Sequence, residues 1–386
     1  MKFDKLAHGI ANRTLGILAE LAQPTTTVVY PGPMGPYLPL NGLPTIALSG
    51  AGALFIFYAG VCQELIDKKL LVPGVSKMAG ISGGAIAAAV VAAGAPPLAL
   101  LDAYDAEQGL YCNSTLPENW PRSRGNDYKG ATHDIKAFVA NCVMTAEWPL
   151  ERVKNTLRRL LPTDVAAVSS TVQVVASQIN PLSFKLKVAW PLGPYSSKED
   201  LIDKVAASSM LPCLLSGTSF LEIAGRPYID GGFTANYNQL CVNATSTNPC
   251  LSASALYYGP RGYLPQINKY GKCDDSLPLV PPSVGVPPNP VNGFASYPEL
   301  DRRDWKLGTE KCGLTDWGAV ATGSFQIVDP TPGTISINPG KRTPMPITPC
   351  EWRSYGIGKA NRTKSRLIYE HGMLEARAFV AEQYGF

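Results

Sequence analysis

The sequence predicts an α/β protein, because a short apolar strand leads through a small-residue turn into a helix twice near its start. The first unit runs from the apolar stretch Thr45–Leu48 through such a turn into a helix that ends near Lys69. In the second unit, an extended stretch leads through the turn Gly80–Gly84 into the apolar run 85–93. Short apolar runs with β-branched residues are typical of buried strands.

Ser82 stands at the centre of the second turn, in a Gly-x-Ser-x-Gly pattern. On a sharp turn between strand and helix, flanking glycines tolerate the crowded backbone and the serine hydroxyl projects at the edge of the sheet. A helix that begins just after this serine directs free N–H groups and its positive dipole end toward the group under attack. The pattern indicates a nucleophile, although it is weakly specific alone in a chain with 36 glycines.

The turn after the first strand consists of four small residues, Gly50, Ala51, Gly52 and Ala53. A loop of this kind between a strand and a helix lets backbone N–H groups converge on an anion. A nucleotide site is disfavoured, because Phe55 occupies the last glycine position of G-x-G-x-x-G and no P-loop lysine motif is present. The remaining interpretations are an oxyanion loop and a tight turn without chemistry.

Asp230 follows a short apolar strand end and begins the segment Asp-Gly-Gly-Phe-Thr-Ala-Asn. Considered alone, this segment predicts only a turn. It is preceded by Ala-Ser-Ser-x-x-Pro at residues 207–212. The glycine loop, the serine turn and these two segments together, in this order, resemble the patatin-like phospholipase family from Leu43 to about Gly259.

The resemblance implies a three-layer α/β/α sandwich and a Ser–Asp dyad without histidine, with Ser82 as nucleophile and Asp230 as base. It also implies that residues 50–53 form the oxyanion loop. Supporting positions in the matching motifs are Gly80, Gly83, Gly231, Gly232 and Asn236.

Two positions of the loop depart from the family pattern. Leu54 stands where plant patatins carry a basic residue, which the animal lipase branch also lacks. Phe55 replaces the closing glycine and leaves the geometry of the loop open. For the base, a free aspartate has a pKa of about 3.9, and burial in an apolar cleft is expected to raise it.

A histidine triad is the alternative catalytic arrangement, because Ser82, Asp230 and His371 occur in the chain order of α/β-hydrolases. His371 lies in a stretch that predicts a helix, however, and not a loop at a sheet edge. A surface histidine near a helix break is therefore the preferred interpretation.

These features predict a lipid acyl hydrolase that cleaves fatty-acyl esters of phospholipids or neutral glycerolipids through an acyl-enzyme on Ser82, with Asp230 as base. The alternatives are a lipid transacylase using the same site and a non-catalytic lipid-binding scaffold. No cofactor is expected, and no Cys/His spacing indicates a metal. The expected partner is a membrane or droplet lipid, with peripheral membrane contact as an open alternative.

Composition excludes some functions and suggests a compartment. The net charge of +4 is small and its basic residues are dispersed, which argues against nucleic acid. The run 85–93 is too short to span a bilayer, and residues 1–6 lack the apolar core of a secretory signal. With nine cysteines, an odd number, reduced thiols in the cytoplasm are the preferred expectation. Disulfides remain an alternative for the five cysteines in the later half, Cys241, Cys250, Cys273, Cys312 and Cys350.

The predicted organisation is an N-terminal extension and linker (1–40) followed by a catalytic domain (41–386). The stretches 171–175 and 184–188 are predicted to pair as strands. An irregular Pro/Gly-rich insertion is predicted over 260–350. It is expected to cover the acyl cleft or to mediate an interface, and the alternative is that it wraps the back of the core. A C-terminal helix is expected over 360–386, and the apolar positions before residue 22 predict a helix packed on the core or lying on lipid.

Overall fold

The computed structural model is built around a parallel sheet with flanking helices, as the sequence predicts. It describes residues 44–106, 149–179, 186–187, 192–211, 216, 218, 220–233, 240–241, 250–255, 275–276, 334–357 and 361–385. The strands among these residues are β1 (Thr45–Leu48), β2 (Met78–Ile81), β3 (Val172–Val175), β4 (Ser177–Ile179), β5 (Leu186–Lys187), β6 (Leu221–Ile223), β7 (Arg226–Ile229), β8 (Cys250–Ala253) and β9 (Thr334–Ile337).

The helices lie mainly between strands that are neighbours in the parallel sheet. In chain order, the described helices are α1 (Phe55–Asp67), α2 (Gly83–Ala92), α3 (Pro97–Ala106), α4 (Pro149–Leu160), α5 (Ala166–Thr171), α6 (Lys198–Ser208), α7 (Pro349–Ile357) and α8 (Arg362–Tyr384). Short 3₁₀ turns occur at Gly52–Leu54 and Gly231–Phe233.

The central sheet has the order β3-β2-β1-β8-β9, and every neighbouring pair is parallel. The chain first builds outward from β1 to β3 and later adds β8 and β9 on the other side of β1. The strand order therefore reverses beside β1. In open parallel sheets, such a reversal leaves a crevice at the carboxyl ends of the strands, where ligands bind.

Both faces of this sheet are buried. On one face, apolar residues such as Ile46, Leu48 and Val174 belong to the large core formed with α1 and α2. On the other face, Ala47 and Ile81 pack in a smaller cluster with Leu240, Cys241 and Cys250. Burial on both sides explains why the strands are almost continuously apolar instead of alternating.

Helices α1 and α8 approach each other closely, because each contributes a glycine to the crossing. A Cβ atom at Gly60 would lie 1.9 Å from the carbonyl oxygen of Tyr369. A Cβ atom at Gly372 would lie 2.2 Å from the carbonyl oxygen of Phe57. The two backbones are thus in contact, and no larger residue fits at either position.

A second, antiparallel sheet with the order β5-β4-β7-β6 corrects the prediction that 171–175 pairs with 184–188. The first of these stretches, β3, joins the central sheet beside β2. The second contributes only β5, which pairs with β4 at the edge of the small sheet. Its alternation of apolar and basic residues is typical of such an edge, whereas the valines of β3 suit a buried parallel strand.

The predicted irregular insertion also needs a correction at its end. Residues 334–337 form β9, which pairs with β8 in a register that places Ile335 beside Leu251. Prolines and glycines on both sides of this four-residue strand give the region the composition of a loop. Residues 256–274 and 277–333 lie outside the described residues, as does the N-terminal extension, so the role expected for the insertion stays a prediction.

The cysteines differ from the prediction of reduced thiols. A disulfide joins Cys241 to Cys250, and Cys350 is disulfide-bonded as well. Cys62 is a buried free thiol. Cys241 and Cys250 meet because β8 places Cys250 on the sheet face against which Leu240 and Cys241 pack. None of the helices in the described ranges combines the length and apolar composition needed to cross a membrane.

Candidate active site

Ser82 occupies the turn between β2 and α2 in a strained conformation. Its backbone has φ 55° and ψ −128°, a region that residues other than glycine rarely adopt. The N–H of Ser82 donates to the hydroxyl of Ser208 at 2.9 Å. The residue is buried, with 7% of its surface exposed. Such strain persists only where the surroundings fix the backbone.

Strand register brings the two halves of the predicted dyad together. Ile81, the last residue of β2, lies beside Val175 at the end of β3. Two residues later, Ser177 begins β4 and pairs with Ile229 at the end of β7. The residues that follow Ile81 and Ile229 are the predicted nucleophile and the predicted base. Pairing through one shared strand segment therefore places them side by side.

Asp230 is hydrogen-bonded to the side chain of Ser82. Its Oδ1 also accepts the Gly232 N–H at 2.7 Å. Burial raises the pKa of Asp230 from its ordinary value to about 6, although the hydrogen bonds from Ser82 and Gly232 act in the opposite direction. The increase has the direction expected from the sequence and leaves a carboxylate that is both ionised and basic near neutral pH.

The backbone around Asp230 is held on both sides. Its N–H donates to the carbonyl of Met210 at 2.8 Å, and its carbonyl accepts the hydroxyl of Ser177 at 2.8 Å. The next residue must be glycine, because a Cβ atom at Gly231 would lie 2.2 Å from the carbonyl oxygen of Val175. The predicted supporting role of Gly231 thus has a steric basis: it lets the aspartate approach the sheet.

The predicted oxyanion loop lies directly against the serine. A Cβ atom at Gly50 would be 3.7 Å from the Cβ of Ser82. Gly52 has φ +54°, a conformation that favours glycine, and starts the 3₁₀ turn. Within the described part of the chain, the N–H groups of residues 50–53 find no hydrogen-bond acceptor. They are therefore available to a negatively charged oxygen beside Ser82.

The start of this loop is fixed by a partly buried polar network that sequence reasoning missed. The hydroxyl of Ser49 lies 2.9 Å from that of Tyr58 and donates to Ser254 at 3.1 Å. The Tyr58 hydroxyl also accepts the N–H of Ala255 at 2.9 Å. Because β1 and β8 are parallel neighbours, their carboxyl ends bring these groups together. No sequence motif marks Tyr58, since it lies in an apolar helix.

The two departures at the end of the loop point into the core. Leu54 is buried, and the buried ring of Phe55 packs edge-on against Tyr104 with ring centroids 5.9 Å apart. Phe55 is the first residue of α1, so its backbone needs no glycine. Instead, close packing requires glycine at the facing position: a Cβ atom at Gly83 would lie 2.4 Å from the carbonyl oxygen of Gly52.

His371 lies on helix α8, as predicted, but the prediction of a surface position near a helix break is wrong. It is buried inside an uninterrupted helix and packs against Phe57 and Trp352. Its Nε2 accepts the N–H of Gly340 at 3.1 Å, and burial lowers its pKa to about 4. The aromatic neighbours explain why His371 is buried. The sequence does not indicate this burial, because several residues near His371 in the chain are polar.

Three further predictions concern Gly80, Asn236 and the absence of a metal site. Gly80 needs to be glycine, because a Cβ atom there would lie 2.5 Å from the Cα of Ala85. Asn236 lies outside the described residues, so its supporting role stays a prediction. Among the residues that the structure describes, no group of His, Cys, Asp and Glu has the arrangement of a metal site.

Comparison with known proteins bears on this geometry. A sequence profile described as patatin-like phospholipase matches residues 46–240, about half of the chain. The chain belongs to the patatin-like phospholipase family. The matched region runs from β1 to just beyond the second 3₁₀ turn and contains both Ser82 and Asp230. The family relation therefore covers the elements that form the site. No curated protein sequence matches the chain.

Solved structures give weaker matches. VipD from Legionella pneumophila is 17% identical, with a TM-score of 0.32 over 55% of this chain and 50% of that one. The heterodimeric ExoU–SpcU complex from the type III secretion system of Pseudomonas aeruginosa is 19% identical, with a TM-score of 0.22 over 48% of this chain and 45% of that one. The matches thus span about half the length of those chains.

Proposed function

We propose that the protein is a serine lipid acyl hydrolase in which Ser82 is the nucleophile and Asp230 the general base. The observation that carries this proposal is the hydrogen bond between the Ser82 side chain and a buried carboxylate with a pKa of about 6. A base acts best when its pKa lies near the working pH. An ordinary aspartate is too acidic for this role, and burial removes that obstacle.

The first half-reaction forms an acyl-enzyme. Ser82 Oγ attacks the acyl carbonyl carbon while Asp230 takes the hydroxyl proton. The carbonyl oxygen becomes an oxyanion, which the N–H groups of residues 50–53 stabilise. When the intermediate collapses, the bond from the carbonyl carbon to the alcohol oxygen breaks, and Asp230 returns the proton to the departing alcohol.

The second half-reaction uses the same groups. Asp230 takes a proton from water, and the hydroxide oxygen attacks the acyl carbon. The fatty acid leaves as Ser82 Oγ recovers a proton from Asp230. Helix α2 begins immediately after Ser82, so its positive dipole end favours the negative charge that develops in both steps.

Membership of the patatin-like phospholipase family supports lipid esters as the substrate class. We extend this to fatty-acyl esters of phospholipids or neutral glycerolipids. A transacylase is the second candidate, because a lipid alcohol in place of water would resolve the same acyl-enzyme. Incubation of the purified protein with mixed lipids, followed by lipid analysis, separates free fatty acid from new acylated lipid.

A fluorophosphonate probe provides the direct test of the nucleophile. We expect the probe to label the folded wild-type protein on the peptide that contains Ser82, and Ser82→Ala to abolish both labelling and ester hydrolysis. The alanine variant should melt close to the wild type, because it removes one small polar group at the edge of the core. Absence of labelling in folded wild-type protein would support a non-catalytic lipid-binding scaffold instead.

The histidine alternative has its own test. We expect His371→Ala to retain ester hydrolysis, because the described contacts of His371 are with Gly340, Phe57, Trp352 and Glu375 and not with Ser82 or Asp230. The variant should nevertheless lose about 1–3 kcal/mol of stability, since the Gly340 N–H loses its acceptor. Thermal melting and steady-state hydrolysis measure the two effects. Loss of turnover with an unchanged melting temperature would move the protein to the triad class.

A further inference from the structure

The end of helix α6 contacts the backbone of both proposed catalytic residues. The hydroxyl of Ser208, the last residue of the helix, accepts the N–H of Ser82 at 2.9 Å. Two residues later, the carbonyl of Met210 accepts the N–H of Asp230 at 2.8 Å. A segment of three residues therefore bonds to two positions that lie far apart in the chain.

The Ser208 hydroxyl has a fixed orientation. It is fully buried and donates its own proton to the carbonyl of Val175 at 2.5 Å. Because the proton is committed to Val175, a lone pair of the oxygen is left to accept from Ser82. Val175 is the last residue of β3 and the register partner of Ile81, the last residue of β2. The Ser208 hydroxyl therefore connects the ends of the two strands.

This contact falls on the strained part of the turn. Ser82 has φ 55°, and a residue other than glycine keeps such a conformation only when its surroundings over-determine it. The hydrogen bond to its N–H sets the orientation of the peptide between Ile81 and Ser82. That orientation in turn determines where the Ser82 hydroxyl points.

We propose that Ser208 is a positioning residue, which holds the Ser82 backbone in its strained conformation so that the nucleophile's hydroxyl faces Asp230. This inference rests on the proposed function of Ser82. Ser208 touches no reacting atom in this scheme and acts entirely through the backbone of the nucleophile. Its loss should therefore weaken the chemical step more than substrate binding.

The neighbouring Ser209 offers a matched control. It is also a buried serine at the end of α6, 3% exposed, and its Oγ has no hydrogen-bond partner within the described residues. Replacing Ser209 by alanine removes the same atom from the same segment without touching the backbone of Ser82. A difference between the two positions thus reports the hydrogen bonds that the Ser208 hydroxyl makes, to Ser82 and to Val175.

The experiment compares Ser208→Ala, Ser208→Cys and Ser209→Ala with the wild type. We expect both Ser208 variants to lower kcat about 10- to 100-fold, a loss of the size that misplacement of a reacting group causes, with little change in KM. The rate of fluorophosphonate labelling should fall in parallel. Cysteine keeps the shape of the side chain, with a larger sulfur atom that accepts hydrogen bonds only weakly, so it should not rescue turnover. Ser209→Ala should behave like the wild type in both assays.

The outcomes separate two failures. If the wild type is labelled at Ser82 but the Ser208 variants match Ser209→Ala in kcat, the positioning role is wrong and the proposed function stands. If the wild type is neither labelled nor active, the proposed function fails, and the inference fails with it. Should Ser208→Ala not fold, the cysteine variant supplies the comparison. A rise in KM with unchanged kcat in that variant would also overturn the inference.

Discussion

Replacing Asp230 by asparagine is expected to lower kcat about 10²- to 10⁴-fold, the usual contribution of a general base. The amide cannot take the proton from Ser82, although it has nearly the same shape as the carboxylate. The hydroxyl of Ser82 would then attack as a neutral, unactivated alcohol. Steady-state hydrolysis of a soluble ester, with the concentration of folded protein determined by absorbance, measures the loss.

The pH dependence of wild-type activity should report the ionisation of Asp230. Asp230 must be ionised to accept a proton, and burial raises its pKa to about 6. Activity is therefore expected to fall as the pH drops below about 6. With an ordinary aspartate as the base, activity would persist until the pH fell to about 4. The residual activity of Asp230→Asn should lack this midpoint. A wild-type midpoint near 4 would contradict the role of burial.

The same substitution is expected to increase stability at neutral pH. Because the pKa of Asp230 is higher in the folded protein than in the unfolded chain, its contribution to stability is fully present below about pH 4 and disappears as the pH rises through about 6. A rise of this size corresponds to roughly 3 kcal/mol of penalty on the buried carboxylate at pH 8. Asparagine carries no charge and avoids the penalty.

Asp200→Asn is the matched control for this prediction. Asp200 accepts from Lys204 at 2.9 Å on the surface of α6 and has no contact with the proposed dyad. Its replacement should leave turnover at the wild-type value. Denaturant unfolding at pH 5 and pH 8 then distinguishes the two aspartates. A less stable Asp230→Asn protein at pH 8 would show that the carboxylate has a structural role as well.

Replacing Gly60 by alanine is expected to destabilise the protein by about 3 kcal/mol or more, at the upper end of the range for overpacked positions. In an isolated helix the same change stabilises the helix by about 1 kcal/mol. Here the new Cβ would lie 1.9 Å from the carbonyl oxygen of Tyr369, and a backbone atom cannot move aside as a flexible side chain does. Helices α1 and α8 would have to separate along their contact.

Gly94→Ala separates steric cost from backbone strain. Gly94 has φ +84°, but a Cβ atom there meets nothing within 4 Å. Alanine at this position should cost only about 1–2 kcal/mol, the penalty for a left-handed conformation. Urea unfolding of the two variants and the wild type provides the comparison. Equal stability of Gly60→Ala and the wild type would mean that the two helices do not cross as closely as the structure indicates.

Local patterns were enough to predict part of the site. Ser82 and residues 50–53 lie in turns whose geometry is determined by adjacent residues, since a strand, small residues and a helix follow one another directly. The sheet with its flanking helices was implied by the resemblance of these motifs to the patatin-like phospholipase family. Asp230 was identified only through its order relative to the other motifs, because an Asp-Gly-Gly segment by itself indicates a turn.

The rest depended on contacts between distant parts of the chain. Strands β4 and β9 have three and four residues, too few to show a clear periodicity, and each acquires its place by pairing with a partner far away in sequence. The burial of His371 and the role inferred for Ser208 are likewise set by neighbouring elements.

The sequence by itself determined which chemical groups the protein carries and the turns that expose them. Only the tertiary structure decided that Ser82 and Asp230 share a hydrogen bond and that the carboxylate has a pKa of about 6. The physical reason is that both properties depend on distance and on exclusion of water. Both are fixed by the pairing of β2 with β3 and of β4 with β7. No local pattern in the sequence reveals these pairings.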